Sequence, residues 1–156
     1  MGSNSRNELT RVGWREWVAL PQFSIRALKA KVDTGARTSA LHAFSLERYT
    51  DNGAPRVRFL LHPRRFRTDI AVTCDADVVD ERWVTDSGGH KEKRIVIMTE
   101  IVLGVLRYPV EVTITDRDTM RFRMLLGRSA IRGRLLVDTS VSYLLGKPRL
   151  PKKAAA

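Results

Sequence analysis

Apolar residues in this chain fall in short clusters rather than long stripes. Runs rich in Val, Ile and Leu are cut by Gly, Pro, Asn or Asp at intervals of about ten residues, the rhythm of an all-β protein. Candidate strands are Val12–Leu20, Ile25–Val32, Val57–Leu61 and Asp69–Cys74, then Val78–Val84, Arg94–Leu103, Tyr108–Thr115 and Phe122–Leu126. Gly104 stands where the strands on either side would turn back as a hairpin. The stretch Thr85-Asp86-Ser87-Gly88-Gly89-His90-Lys91 joins two β-like runs through polar, pliant residues. It predicts a long hairpin with an exposed tip able to move over a cleft, although an ordinary surface loop is the plainer reading. One short helix is expected from Arg128, carrying Ser129-Ala130-Ile131 and stopped by Gly133.

No internal repeat or linker divides the chain, and 156 residues suffice for one buried core. The expected domain covers residues 12–146, between a flexible N-terminal segment, 1–11, and a basic flexible tail, 147–156. A hydrophobic share of 43% and a charged share of 29% exclude a disordered or collagen-like chain.

Charge changes the picture more. Against 17 Asp and Glu stand 28 Lys and Arg, a net +11 whose field favours polyanions or acidic substrates, though solubility and the basic tail explain it equally well. Cys74 is the only cysteine, so no intramolecular disulfide can form and a reducing compartment fits. No run approaches the roughly 18 to 20 apolar residues that cross a bilayer, which leads to the expectation of a cytoplasmic protein without a membrane partner.

The segment with chemical content is Ala30-Lys31-Val32-Asp33-Thr34-Gly35-Ala36-Arg37-Thr38-Ser39-Ala40, where an apolar strand ends in an acid, a hydroxyl and a glycine. A carboxylate at a strand end can face a cleft, the hydroxyl can fix the backbone, and Gly tolerates close approach. The plainer reading is a turn with a solvated Asp. A second signal comes late: Met124-Leu125-Leu126-Gly127-Arg128, an apolar pair closed by Gly and Arg just before the expected helix.

Together these resemble the retropepsin-like aspartic proteases, whose hallmarks are an early Asp-Thr-Gly-Ala and a late hydrophobic pair followed by Gly-Arg. Val12-Gly13-Trp14-Arg15-Glu16-Trp17-Val18-Ala19-Leu20-Pro21, Lys29 to Ala43 and Ser140-Val141-Ser142-Tyr143-Leu144-Leu145-Gly146 are similar to a bacterial branch of that group. That branch was long labelled an ATP-dependent zinc protease, and its members often occur beside ATP-grasp ligases that add glutamate to proteins. The resemblance implies a mainly β, closed-barrel fold with one short C-terminal helix and a homodimeric aspartic endopeptidase needing no cofactor. Asp33 of each subunit would form a dyad sharing one proton, since adjacent carboxylates cannot both ionise cheaply. It further implies that Thr34 bonds across the two-fold axis and that Gly35 leaves room for substrate. Leu125, Leu126 and Gly127 would support the acid loop, and Ser87, Gly88, Gly89 and His90 would form a flap.

One position departs from the pattern. Viral retropepsins usually carry an acid after Asp-Thr-Gly-Ala that pairs with the late Arg, whereas this chain has Arg37. Either another acid serves Arg128, or Arg37 and Arg128, beside Ala36, make a substrate site for carboxylates, which guanidinium binds bidentately. With the net charge and the ligase association, the second reading points to acidic or glutamylated substrates.

Other chemistries are weaker on these residues. Val137-Asp138-Thr139-Ser140 echoes the first acid motif, but one domain has no room for a repeated lobe, so Asp138 reads as structural. His42, His62 and His90 are scattered and no His-Glu-x-x-His occurs, so no metal ligand is assigned. No Gly-x-Ser-x-Gly elbow or Walker loop is present, and Cys74 has the apolar setting of an inert thiol. The alternative is a non-catalytic module: a basic β-domain using Arg56, Arg58, Arg64, Arg65 and Arg67 with Phe59 or Phe66 to hold nucleic acid or acidic protein, or an inactive peptide-binding retropepsin fold. The absence of a recognised nucleic-acid motif ranks nucleic acid below a peptide.

Overall fold

The computed structural model describes residues 8–64, 67, 69–86, 88–116 and 121–150. The chain is mainly β, in the order β1 (Thr10–Val12), β2 (Arg15–Leu20), β3 (Ile25–Val32), β4 (Ser39–Asp51), β5 (Ala54–Leu61), β6 (Val72–Asp77), β7 (Asp80–Thr85), β8 (Lys91–Leu103), β9 (Leu106–Asp116), β10 (Met124–Leu126), helix α1 (Arg128–Ile131) and β11 (Leu135–Val137). The neighbours β10, β3, β2, β8, β9 and β4 form a continuous sheet, and β10 also pairs with β4, so the hydrogen bonds close into a ring. This is the closed barrel expected from the sequence. β5 and β6 extend the sheet beyond β4, β7 lies along β8, and β1 pairs in parallel with β11 as a separate two-stranded sheet.

Most expected strands are present with shifted ends, and three differences have physical causes. The expected strand Val12–Leu20 is two strands, because the chain breaks at Gly13. There a Cβ would lie 2.4 Å from the Val141 carbonyl oxygen, and Trp14 N–H donates to that same oxygen. Instead of beginning at Asp69, β6 begins at Val72, since its ladder with β5 runs only from Leu61↔Val72 to Arg56↔Asp77. The third is β4, which no apolar run announced. Ser39 and His42 interrupt its hydrophobic sequence, yet both are buried and bonded: Ser39 Oγ accepts from Gly127 N–H, and His42 Nδ1 lies 2.7 Å from Thr115 Oγ1. The turn between β8 and β9 is the expected one, with Gly104 at φ +58° and Leu103 opposite Leu106.

One core fills the barrel. Leu20, Leu28, Leu41, Ile97, Ile101, Leu103, Met124 and Leu126 are fully buried, each such side chain contributing about 1.5–3 kcal/mol by leaving water. Phe59 and Leu61 of β5 and Ala76 of β6 join the same cluster, with Phe59 edge-on to Phe23, so the extension is packed against the barrel. Among the described residues no helix is long and apolar enough to cross a membrane.

Candidate active site

The site is built where three strands meet. β10 lies between the strand that leads into Asp33 and the strand that leaves its loop. It pairs in parallel with β3 (Leu126↔Val32) and antiparallel with β4 (Leu125↔Ala40). Loop 33–38 therefore has to pass over the end of β10, and the backbone there is shaped to receive it.

Asp33 N–H donates to the Leu126 carbonyl at 2.8 Å, continuing the ladder one residue beyond β3. Just after it, Gly127 leaves the space the loop occupies: a Cβ there would meet the Thr38 carbonyl carbon at 2.6 Å and the Ala36 oxygen at 3.0 Å, both backbone atoms unable to yield. Gly127 N–H donates to the buried Ser39 hydroxyl at 3.0 Å. The next two N–H groups, Arg128 and Ser129, open α1 and donate to the carbonyls of Ala36 (2.8 Å) and Arg37 (3.0 Å). Donors that a helix start leaves unpaired thus hold the acid loop in place. Arg128 Nη1 adds a bond to the Thr34 carbonyl at 3.1 Å.

Within the loop, Gly35 N–H donates to Asp33 Oδ1 at 3.0 Å and Ala36 N–H to the Asp33 carbonyl at 3.2 Å, a tight turn that fixes the carboxylate. Asp33 is half-buried, while Thr34, Gly35 and Arg37 are exposed. Arg128 has no carboxylate partner among the described residues and serves a carbonyl instead. The Arg37 guanidinium lies near enough to Glu111 to favour its ionised form, but the main cause of that carboxyl's lowered pKa is its pairing with Arg82. Arg37 and Arg128 are therefore tied to one loop, Arg37 through its carbonyl and Arg128 through its N–H and its guanidinium.

β7 and β8 form a hairpin in register from Asp80↔Val96 to Thr85↔Lys91. At its tip Asp86 Oδ1 accepts from the N–H groups of Gly88 and His90, both at 2.9 Å, and Gly89 takes φ +86°. Ser87, assigned to the flap from sequence, lies outside the described residues.

Other candidates are used elsewhere. Asp138 Oδ1 accepts from the backbone and hydroxyl of Ser140, its Oδ2 pairs with Arg11, and these bonds hold its carboxyl well below the usual range. His62 stacks on Phe44 with Nδ1 3.1 Å from the Ile70 carbonyl, and His90 sits at the hairpin tip beside Asp86, so the three histidines belong to three separate places. Cys74 is buried, and burial pushes its thiol up to about 12.

The basic patch read from sequence is corrected in two respects. Arg56 pairs with Asp75 and Asp77, and Arg58 lies within reach of Asp75 and Glu47, so acids neutralise that part of β5. Phe59 is wholly buried in the core and has no face to offer a base. Arg65 and Phe66 lie outside the described residues.

Sequence reasoning missed two supports. Ser39 carried no signal beyond following the acid motif. Glu16 is completely buried and accepts from the N–H groups of Gly13 (2.7 Å), Leu144 (2.9 Å) and Leu145 (3.2 Å), tying the C-terminal segment to β2. An acid inside an otherwise apolar strand was the available clue, because buried carboxylates require such partners.

Proteins named probable alpha-L-glutamate ligase from Shewanella pealeana and Desulfotalea psychrophila are 45% and 39% identical over 136 residues, 87% of this chain. The chain spans only about 30% of the length of these relatives. A crystal structure of a Legionella pneumophila protein of unknown function superposes with a TM-score of 0.73 at 25% identity, over 88% of this chain and 99% of the other. The model of the RimB-like family, described as retropepsin-like aspartic endopeptidase RimB, matches residues 11–148, and the chain belongs to that family.

Proposed function

We propose that the protein is a homodimeric aspartic endopeptidase in which Asp33 of two subunits forms the catalytic dyad. The observation that carries this reading is the acid loop itself: a half-buried carboxylate, oriented by Gly35 N–H and locked onto β10 and α1 by four backbone donors. Such preorganisation is costly for a solvated turn and useful for catalysis. One carboxylate, ionised, removes a proton from water as the oxygen attacks the peptide carbonyl. The other, protonated, donates a hydrogen bond to the developing oxyanion. Collapse of the tetrahedral intermediate breaks the C–N bond, and the proton passes to the leaving amine. The β7–β8 hairpin would act as a flap excluding water.

Dimerisation is supported by the two-stranded β1–β11 sheet. Each of its strands has an edge without a strand partner among the described residues, and Leu9 and Leu136 are exposed there. For the substrate, the net charge of +11 and the glutamate ligation in the relatives' names favour an acidic, glutamyl-rich tail.

The test is cleavage of peptides ending in a glutamate run, with oligomeric state followed by sedimentation. A cleaving dimer that resists chelator and loses activity on Asp33→Asn is the expected result. An active monomer, or cleavage retained in Asp33→Asn, overturns the reading.

A further inference from the structure

The outer face of β2 and β3 carries a groove of about 400 Å³ that the catalytic reading leaves unused. Its lining contains no Asp or Glu, and of its cations Arg67 pairs with Asp69 and buried Arg123 donates to the His62 carbonyl, which leaves Arg15, Lys29, Arg64, Arg121 and Lys147. None of these five has a carboxylate partner among the described residues, in contrast to the neutralised arginines of β5.

The aromatic residues here hold cations in place. Lys29 Nζ lies 5.4 Å from the Trp17 ring and 5.9 Å from that of Tyr143, Lys147 Nζ lies 4.9 Å from Trp17, and the Arg15 guanidinium lies 4.5 Å from Trp14 and 5.0 Å from Tyr143. Trp17 and Tyr143 also pack on each other at 5.4 Å. With rings and cations already covering them, these aromatic faces offer little room for a nucleobase to stack. What the groove presents is a fixed array of positive charge, suited to a flexible chain of carboxylates.

Position connects it to Asp33. Lys29, Lys31 and Asp33 follow the two-residue alternation of β3 on the side away from buried Leu28, Ala30 and Val32. Lys29 is therefore about 13 Å from Asp33 along the strand, a distance that roughly four residues of extended peptide cover. Arg121 lies just before β10, whose Leu126 carbonyl receives Asp33 N–H.

We infer that this groove is an exosite holding the acidic run of a polypeptide substrate beyond the cleaved bond, so that it selects for the number of carboxylates. The inference rests on the endopeptidase reading for its purpose, while its binding can be measured without catalysis.

The experiment uses the full chain carrying Asp33→Asn and measures, by fluorescence anisotropy, binding of a peptide ending in eight glutamates. An eight-glutamine peptide and a single-stranded oligouridylate serve as comparison probes. Lys29→Glu with Arg121→Glu, and separately Lys147→Glu, are compared with Arg58→Glu plus Arg107→Glu, which matches the charge change of the double variant elsewhere. The expected result is tight binding of the glutamate peptide alone, weakened about tenfold or more by the double groove variant, less by Lys147→Glu, and little by the control. No glutamate binding, equal weakening by groove and control variants, or preferred binding of the oligonucleotide overturns the exosite. Preserved groove-dependent binding in a protein that cleaves nothing supports the exosite and removes the endopeptidase reading instead.

Discussion

Val32-Asp33-Thr34-Gly35 and Val137-Asp138-Thr139-Ser140 share three residues and the same local turn: in each, the N–H two residues on donates to the aspartate, at 3.0 Å from Gly35 and 2.9 Å from Ser140. Both follow a short or medium strand, and the surroundings separate them. The first loop leaves β3 inside the closed ring and is received by Gly127 and the opening of α1. The second leaves β11, which among the described residues pairs only with β1, and its carboxylate is engaged by Arg11 and the Ser140 hydroxyl. Among the described residues, Gly at the fourth position leaves the first acid's carboxylate with a backbone bond alone, while Ser at the same position supplies the second with a competing donor. A tripeptide thus acquires a role from what the fold leaves its side chain free to do.

The sharpest way to break this contrast is to neutralise each acid. Asp33→Asn is expected to lower peptide cleavage by about 10³-fold or more, the order contributed by a positioned acid–base group. Asp138→Asn is expected to retain most activity. Equal losses in initial rate would mean that both acids serve catalysis.

Next in size is Glu16→Ala, which leaves three N–H donors around the second acid's segment without their buried acceptor. A loss of about 3–5 kcal/mol is expected in urea unfolding. A loss under about 1 kcal/mol would show that water replaces the carboxylate.

A matched pair of glycines sharpens the comparison further. Gly127→Ala pushes on the Thr38 backbone and Gly13→Ala on Val141, so each is expected to cost about 1–3 kcal/mol. Cleavage per folded molecule should fall in Gly127→Ala and persist in Gly13→Ala. Similar residual kcat/KM in both would detach the acid loop's support from function.

The smallest effect is electrostatic. The carboxyl of Asp138 has a lowered pKa through the Ser140 hydroxyl first and Arg11 second. Its stabilising contribution is present above the unfolded carboxylate value of about 3.9 and is lost as pH falls through the folded value. Thermal unfolding of wild type and Asp138→Asn should therefore converge at acidic pH and separate slightly near neutrality, the ion pair being exposed. Curves that stay parallel at every pH would show that the carboxylate adds no stability.

Apolar clusters between turn residues were enough to read the β class, most strands, the Gly104 hairpin and the helix at Arg128, because burial and turn chemistry are local signals. Asp33 and the Leu-Leu-Gly-Arg segment stood out because the two signals occur together in this order, which is rarer than either alone and resembles the retropepsin pattern. Sequence alone did not show that these two segments are hydrogen-bonded neighbours or that Gly127 is required by the Thr38 backbone. Nor did it show that Ser39 and Glu16 are buried inside strands or that Arg56, unlike Lys29, meets acids among the described residues. Those properties depend on partners distant in the chain. Ring closure through β10 brings the acid loop, Gly127 and Ser39 together, the β5–β6 ladder sets Arg56 beside Asp75 and Asp77, and the return of the C-terminal segment to β2 surrounds Glu16, so a polar residue's burial, charge and freedom are set by the neighbours it meets there.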